Sequence, residues 1–287
     1  MEEFDSELNR LNSACEYLRG IISLVPKVAI VLGSGLGECL NNFEIEYVIN
    51  YHDIPYLQKP TVETHKGRYL IGRLDNIPII VMQGRIHYYE GYDMADVVRP
   101  IRVMKMLGAR KIILTNSAGA INCSFNIGQF VLIKDQIASF LPSPLRGTNA
   151  DSLGIKFPDM SNIYDKKTRI AIKKIATEKK VDLNEGVYLQ TAGPNFESPA
   201  EISMYKVLGA DLVGMSTACE AIAARHMGMT VCGISFISNM ASGITKKEIT
   251  FEEIMVETEK MKNELSIFLS SCVKGLARDL NYENKTI

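Results

Sequence analysis

The sequence predicts an α/β protein, and three observations carry that prediction. Short runs of β-branched and apolar residues, Val28–Leu32, Lys111–Thr115 and Val231–Ile237, have the composition of strands buried on both faces. Longer stretches between them, such as Ser6–Leu24, Met94–Leu107 and Lys166–Lys180, carry apolar residues at helical spacing. Each strand-like run also ends in small or polar residues: Gly33-Ser34-Gly35-Leu36-Gly37, Asn116-Ser117-Ala118-Gly119-Ala120 and Ser238-Asn239-Met240-Ala241-Ser242-Gly243. Strand ends of this kind are where α/β sheets hold small ligands.

The bulk properties bound the reading. A chain of 287 residues suits one large α/β domain or two small ones. No composition shift, repeat or low-complexity tract divides it, so residues 1–287 are read as one domain. Hydrophobic residues make up 46% and charged residues 23%, as in ordinary soluble proteins. A net charge of −1 gives no electrostatic case for nucleic acid or a membrane surface. No apolar run is long enough to span a bilayer, and the acidic start MEEFDSELNRLN lacks the pattern of a secretion signal. The six cysteines, Cys15, Cys39, Cys123, Cys219, Cys232 and Cys272, are scattered without a CxxC pair. They read as free thiols of a reducing compartment, and the expected location is cytoplasmic. The four histidines, His52, His65, His87 and His226, show no metal-ligand spacing, so no metal is expected.

Taken in order, Ser6–Leu24 is expected to be an amphipathic helix that Pro26 stops. The strand Val28–Leu32 then delivers the chain to the glycine turn, whose N–H groups and Ser34 hydroxyl suit an anion. Alone the turn is weak evidence, because a plain tight turn has the same composition. It is not a dinucleotide fingerprint, since Gly37 falls two residues after Gly35. Phe43–Tyr51 reads as a strand, and Arg68–Leu74 with Pro78–Met82 as a hairpin through Asp75-Asn76. His65, in the loop before that hairpin, is either a ligand contact or a locally satisfied loop residue.

The stretch Gln83-Gly84-Arg85-Ile86-His87-Tyr88-Tyr89-Glu90-Gly91-Tyr92 is the second informative one. Arg85 can hold an oxyanion in a bidentate fork, His87 can donate a hydrogen bond, and the tyrosines offer apolar walls with polar tips. The competing reading is a surface loop in which Arg85 pairs with Glu90 or Asp93. Met94–Leu107 follows as a helix interrupted by Pro100, then the strand Lys111–Thr115 and the strand Phe130–Gln136. Leu141–Tyr164 is a long irregular loop of a kind that is usually functional or an interface.

The helix Lys166–Lys180 reads as a solvated basic face. Glu185–Gln190 is a strand leading to Phe196-Glu197, an aromatic and a carboxylate that suit a stacked, hydrogen-bonded base. Ser198-Pro199-Ala200-Glu201 is a helix start, with Ser198 as N-cap and Glu201 closing a capping box. Ser216 and Thr217 end a strand from Asp211 and precede the helix Ala218–Met227, where donors converge on an anion or simply cap the helix. Asn239, at the end of the last central strand, can both donate to and accept from a purine edge. Thr250–Ala277 closes the chain as a long helix.

Seven motifs then carry a resemblance: GSGLG (33–37), VxxHxG (62–67), GRxHxYEGY (84–92), TNxAGxIN (115–122), GPxFE (193–197), VGMST (213–217) and SxISN (235–239). In this order, over roughly Val28 to Val256, the chain resembles the purine nucleoside phosphorylases of the trimeric, low-molecular-mass class. The resemblance implies an α/β domain with a mixed central β-sheet flanked by helices. It implies a pentosyltransferase of purine salvage that cleaves a purine nucleoside with phosphate to free base and ribose 1-phosphate. Phosphate would be a co-substrate, with no cofactor, and the assembly a homotrimer.

Residue by residue, Ser34, His65, Arg85, Ser117 and Ser216 match the phosphate site, and His87 a position near phosphate and ribose. Tyr89 and Met215 match sugar contacts; Phe196, Glu197, Val213 and Asn239 match the base pocket, with Tyr188 as a further wall. Phe157, in KFPDMS, resembles the aromatic that the family supplies across the trimer interface. Asn239, Glu197 and His87 are the expected catalytic residues. A carboxylate and an amide favour 6-oxopurines, so inosine and guanosine are expected over adenosine.

Two positions depart from the family. Ser117 stands where alanine is common and adds a donor. Phe251 stands where many relatives have a histidine for the sugar 5′-hydroxyl. Either that polar contact is lost, favouring 5′-deoxy or 5′-alkylthio substrates, or another group supplies it. Phe251 leans toward a 5′-methylthioadenosine phosphorylase and the Glu197–Asn239 pair leans against it. A non-catalytic nucleoside sensor would not need the anion residues, and a nicotinamide-dependent dehydrogenase fails on the glycine spacing.

Overall fold

The computed structural model describes residues 6–33, 40–147 and 153–283. Among these residues, nine strands form one mixed sheet. They are β1 (Val28–Leu32), β2 (Phe43–Asn50), β3 (Arg68–Leu74), β4 (Ile77–Gln83), β5 (Lys111–Ala120), β6 (Phe130–Ile137), β7 (Leu183–Gln190), β8 (Leu212–Gly214) and β9 (Thr230–Met240). The helices are α1 (Glu7–Ile21), α2 (Met94–Met106), α3 (Lys166–Lys179), α4 (Pro199–Val207), α5 (Ala218–His226) and α6 (Phe251–Glu283). Among the described residues, no helix is long and apolar enough to cross a membrane.

The strand order is β2-β3-β4-β1-β5-β8-β7-β6-β9, and β9 also pairs with β5. The last five strands therefore close on themselves as a ring, and the first four extend from it as a twisted wing. Pairing is parallel for β1 with β4 and β5, β5 with β9, and β7 with β6 and β8. It is antiparallel along β2-β3-β4, at β5 with β8 and at β6 with β9.

Strand period decides which side chains meet which layer. In β1, Ala29 and Val31 join the core under α1, α2 and α5, with Leu11, Leu18, Ile101, Met104, Ala221 and Ala224. Val28, Ile30 and Leu32 join the opposite core with Ile172 of α3 and Leu265, Phe268, Leu269 and Cys272 of α6. Both faces of the strand are covered, which is why its sequence is uninterrupted in hydrophobicity.

Two strands run further than their composition predicts. β5 continues through Asn116-Ser117-Ala118-Gly119-Ala120, and β9 through Ser238-Asn239-Met240, where turns were expected. The two are each other's neighbours, so each supplies the other's ladder past the point where hydrophobicity fades. A register shift between Ala118 and Gly119 bends the pair there. The helix predicted over Ser6–Leu24 ends at Ile21, and the one expected from Thr250 to Ala277 extends to Glu283. Ser198 caps α4 in a reciprocal capping box with Glu201 and Pro199 at the first position, as its residues predict.

α1 is tied to α2 by a buried ion pair. Arg99 donates to both Glu7 oxygens, Nη2 at 2.7 Å and Nε at 3.1 Å, and also pairs with Asp96. Arg102 lies 3.5 Å from Glu7. Removing one partner of a buried pair strands the other's charge. Glu7→Ala is expected to lower unfolding free energy by about 3 kcal/mol; denaturant titration measures it, and a loss under about 0.5 kcal/mol would show that the pair behaves as an exposed one.

Candidate active site

One cavity of about 390 Å³ opens where β4, β5, β8 and β9 end, and residues from several separate segments line it. At one end lie Arg85, His87, Asn116, Ser117 and Ser216. Tyr89 and Met215 line it further along, with Phe196, Glu197, Val213, Gly214 and Asn239, and with Phe251 and Ile254 from the start of α6.

The polar end begins at Gly84, which follows β4 with φ +92°. A Cβ there would stand 2.8 Å from His65 Cβ and 2.9 Å from Lys66 N, so only glycine admits this approach. The turn sends Arg85 inward, where it is 1% exposed. Its Nε and Nη2 donate to the two oxygens of Glu220 at 2.9 and 3.0 Å, and Nη1 donates to the Thr115 carbonyl at 2.7 Å. Neither Glu90 nor Asp93, the alternatives considered from sequence, holds it. Three of the five guanidinium N–H groups are thereby committed, and the arginine still lines the cavity.

The Arg85 backbone N–H donates to His65 Nδ1 at 3.2 Å. His65 and His87 have ring centroids 5.0 Å apart, and His87 stacks on Tyr89 at 4.6 Å. Glu90 accepts from the His87 backbone N–H at 2.7 Å, contacts His87 Nδ1 at 3.2 Å, and accepts from the Thr61 hydroxyl at 2.8 Å. Burial alone would raise the Glu90 carboxyl, but the hydrogen bonds from His87 and Thr61 outweigh it and hold the group at about 2. Burial lowers His87 below the ordinary histidine value against the upward pull of Glu90. His65 is held well below it by burial and by the charges of His87 and Arg85. Near neutral pH the anion end thus presents neutral imidazoles beside an arginine already neutralised by Glu220. An anion placed here would meet directed hydrogen-bond donors more than net charge.

At the other end, burial raises the Glu197 carboxyl above its usual range, and Oε1 accepts from the Thr191 hydroxyl at 2.9 Å. Asn239 Oδ1 accepts from Ser238 Oγ at 2.8 Å while Nδ2 donates to the Met240 carbonyl at 3.0 Å. Val213 stands opposite Gly119 on β5, and a Cβ at Gly119 would come within 3.2 Å of Asn239 Nδ2. Gly193 plays the same part in the middle: a Cβ would stand 2.6 Å from Met215 Sδ and 2.9 Å from Tyr89.

Most of the residues picked from sequence converge on this cavity or its wall. Arg85, His87, Ser117, Ser216, Tyr89, Phe196, Glu197, Val213, Met215 and Asn239 line it. His65 stands behind His87 and Arg85. Ser34 lies outside the described residues.

Tyr188 departs from the expectation: it is 0% exposed and is not among the lining residues. It lies behind Gly214, whose Cβ would fall 2.4 Å from its hydroxyl, and it accepts there from the Ser216 N–H at 3.4 Å. The reason is that Gly214 and Ser216, which line the cavity themselves, cover the Tyr188 hydroxyl. Phe157 is 86% exposed and takes no part in the cavity of its own chain.

Sequence reasoning missed Glu220, and it gave Thr217 a capping role that its side chain does not take, since its hydroxyl accepts from Asn116 instead. An acidic residue in the first turn of a helix has the appearance of a partner for the helix dipole, and nothing local ties Glu220 to Arg85.

A profile described as the Phosphorylase superfamily matches residues 27–274. The chain is 43% identical over 269 residues to purine nucleoside phosphorylase 1 of Geobacillus stearothermophilus, covering 94% of this chain and 98% of that one. Among solved structures, isoform 2 of purine nucleoside phosphorylase from Schistosoma mansoni, in complex with cytosine and ribose-1-phosphate, superposes with a TM-score of 0.87 at 38% identity, covering 92% and 95% of the two chains. The Schistosoma mansoni purine nucleoside phosphorylase in complex with inosine gives 0.86 at 32%, covering 93% and 97%.

Glu90→Gln is expected to lower the His87 pKa further, because the carboxylate that stabilises the imidazolium is gone. Proton NMR titration of the histidines reads the shift; an unmoved His87 would mean that Glu90 does not hold the ring.

Proposed function

The chain belongs to the phosphorylase superfamily, and from that membership and its site we infer that it catalyses reversible phosphorolysis of 6-oxopurine nucleosides, inosine and guanosine, to the free base and ribose 1-phosphate. One observation carries the reading: a single cavity joins an anion end at Arg85, His87 and Ser216 to an acceptor and amide pair at Glu197 and Asn239. Phosphate and purine bound at its two ends would flank a sugar lying against Tyr89 and Met215.

The chemistry follows from where charge develops. As the glycosidic bond lengthens, the anomeric carbon becomes cationic and the purine gains negative charge. Phosphate held by Arg85, Ser216 and Ser117 stabilises that cation and then bonds to it. The Asn239 amide donates to N7, where charge accumulates, and so binds the transition state more tightly than the substrate. Glu197 as carboxylate accepts the N1–H of a 6-oxopurine. A 6-aminopurine has no proton on N1, and its lone pair would face the carboxylate. His87, kept neutral by burial and oriented by Glu90, donates near the phosphate and ribose. No metal or cofactor is required by these steps.

Phe157, exposed on its own chain, fits the role of an aromatic lent to a neighbour's sugar site, and a homotrimer is the assembly that would use it. Free cysteines and a soluble composition support a cytoplasmic enzyme.

The deciding assay is inosine cleavage with and without phosphate, scoring hypoxanthine and ribose 1-phosphate. Strictly phosphate-dependent release is expected; release without phosphate, or none, would overturn the reading. Phe251 lines the cavity with Ile254 and can make no hydrogen bond to a 5′-hydroxyl. The 5′-deoxyinosine kcat/KM is therefore expected to exceed that of inosine, and equal or better turnover of inosine would show that another group serves the hydroxyl.

A further inference from the structure

The turn that presents Ser216 is strained. Thr217 sits at φ 78° and ψ −54°, and the Ala218 N–H reaches back to the Ser216 carbonyl at 2.9 Å. This is a γ-turn of the positive-φ kind, rare for any residue and worst for a β-branched one. Thr217 is nevertheless fully buried at the mouth of α5, immediately beside a residue of the anion end. Such strain persists only where surrounding contacts over-determine it.

The contact that does so comes from β5. Asn116 Nδ2 donates to Thr217 Oγ1 at 2.9 Å, and Thr217 Oγ1 lies 3.1 Å from Ser216 Oγ. Since Thr217 Oγ1 accepts from Asn116, its own proton can turn to Ser216 Oγ. That leaves the Ser216 proton for a bound anion, and a chain of donors pointing one way strengthens each member. β5 and the N-terminal end of α5 are thus linked by a clamp next to Ser216, which lines the cavity.

We propose that Asn116 and Thr217 are positioning residues of the anion end: the Asn116 amide clamps the turn at Thr217, and the clamped turn holds the Ser216 hydroxyl ready to donate to phosphate. The choice of phosphate rests on the phosphorolysis reading. The clamp itself does not, because direct binding of inorganic phosphate tests it without turnover.

A strained clamp predicts an unusual order of substitutions. Thr217→Val keeps the shape and the strain but loses the tether, so the turn relaxes and Ser216 moves away. Thr217→Gly loses the tether and the strain together, so the turn survives. Thr217→Ser keeps the hydroxyl. Calorimetric titration with inorganic phosphate is expected to show Kd raised tenfold or more for valine, less than fivefold for glycine and less than twofold for serine. The KM for inosine should stay within twofold throughout, whereas a general loss of structure would move it too.

The second test pairs Asn116→Ala with Asn116→Ala plus Thr217→Gly, which stands if the valine variant does not fold. Tenfold weaker phosphate binding in the single variant, at least half recovered on a logarithmic scale in the double one, supports the clamp. Glycine as damaging as valine would overturn the proposal. So would a double variant no better than the single one, since Asn116 would then touch the anion directly.

Discussion

The bidentate pair between Arg85 and Glu220 is the constraint on which the site depends. Both side chains are 1% exposed, and they come from segments 135 residues apart. Two charges removed from water gain little net stability from each other, because desolvation offsets their attraction. What the pair supplies is geometry. The planar guanidinium is fixed by two parallel hydrogen bonds and a third to the Thr115 carbonyl, so the remaining N–H groups have one direction left to point. It also cancels the arginine's charge, and an anion arriving there meets donors instead of a fixed cation.

The sheet explains how such distant groups meet. β5 lies between β1 and the ring formed with β8 and β9, and its end supplies Thr115, Asn116, Ser117 and Gly119 in sequence. Thr115 holds Arg85 and Gly33, Asn116 holds Thr217, and Gly119 leaves room for Asn239. A strand that carried large side chains here could not serve three neighbours. Its lapse from hydrophobicity after Leu114 is therefore not the end of the strand but the beginning of the site.

Much of this was legible beforehand. The buried strands, the cap at Ser198 and the hairpin through Asp75-Asn76 could be picked from local pattern. Arg85, His87, Phe196, Glu197, Ser216 and Asn239 followed from residue type at strand ends, while Tyr89, Ser117, Val213 and Met215 came only from the family resemblance. What misled was the equation of polar, small residues with a turn, which shortened β5 and β9. Hydrophobicity measures burial by apolar atoms, whereas these segments are buried against each other's backbones and line the cavity. Tyr188 misled for another reason: it matches a pocket wall in the family resemblance, but Gly214 and Ser216 lie between it and the cavity.

The sequence by itself determined the α/β alternation, the Ser198 cap and the chemical identities of the groups that would handle an anion and a flat polar ring. These follow from period, sterics and side-chain inventory, all of them local properties. Tertiary structure alone decided that Glu220 neutralises Arg85, that Asn116 holds Thr217 in a backbone state its type disfavours, and that Tyr188 lies behind Gly214. Each of those depends on strand register and helix docking over long separations, and no residue carries in its neighbours a record of what the fold will bring against it.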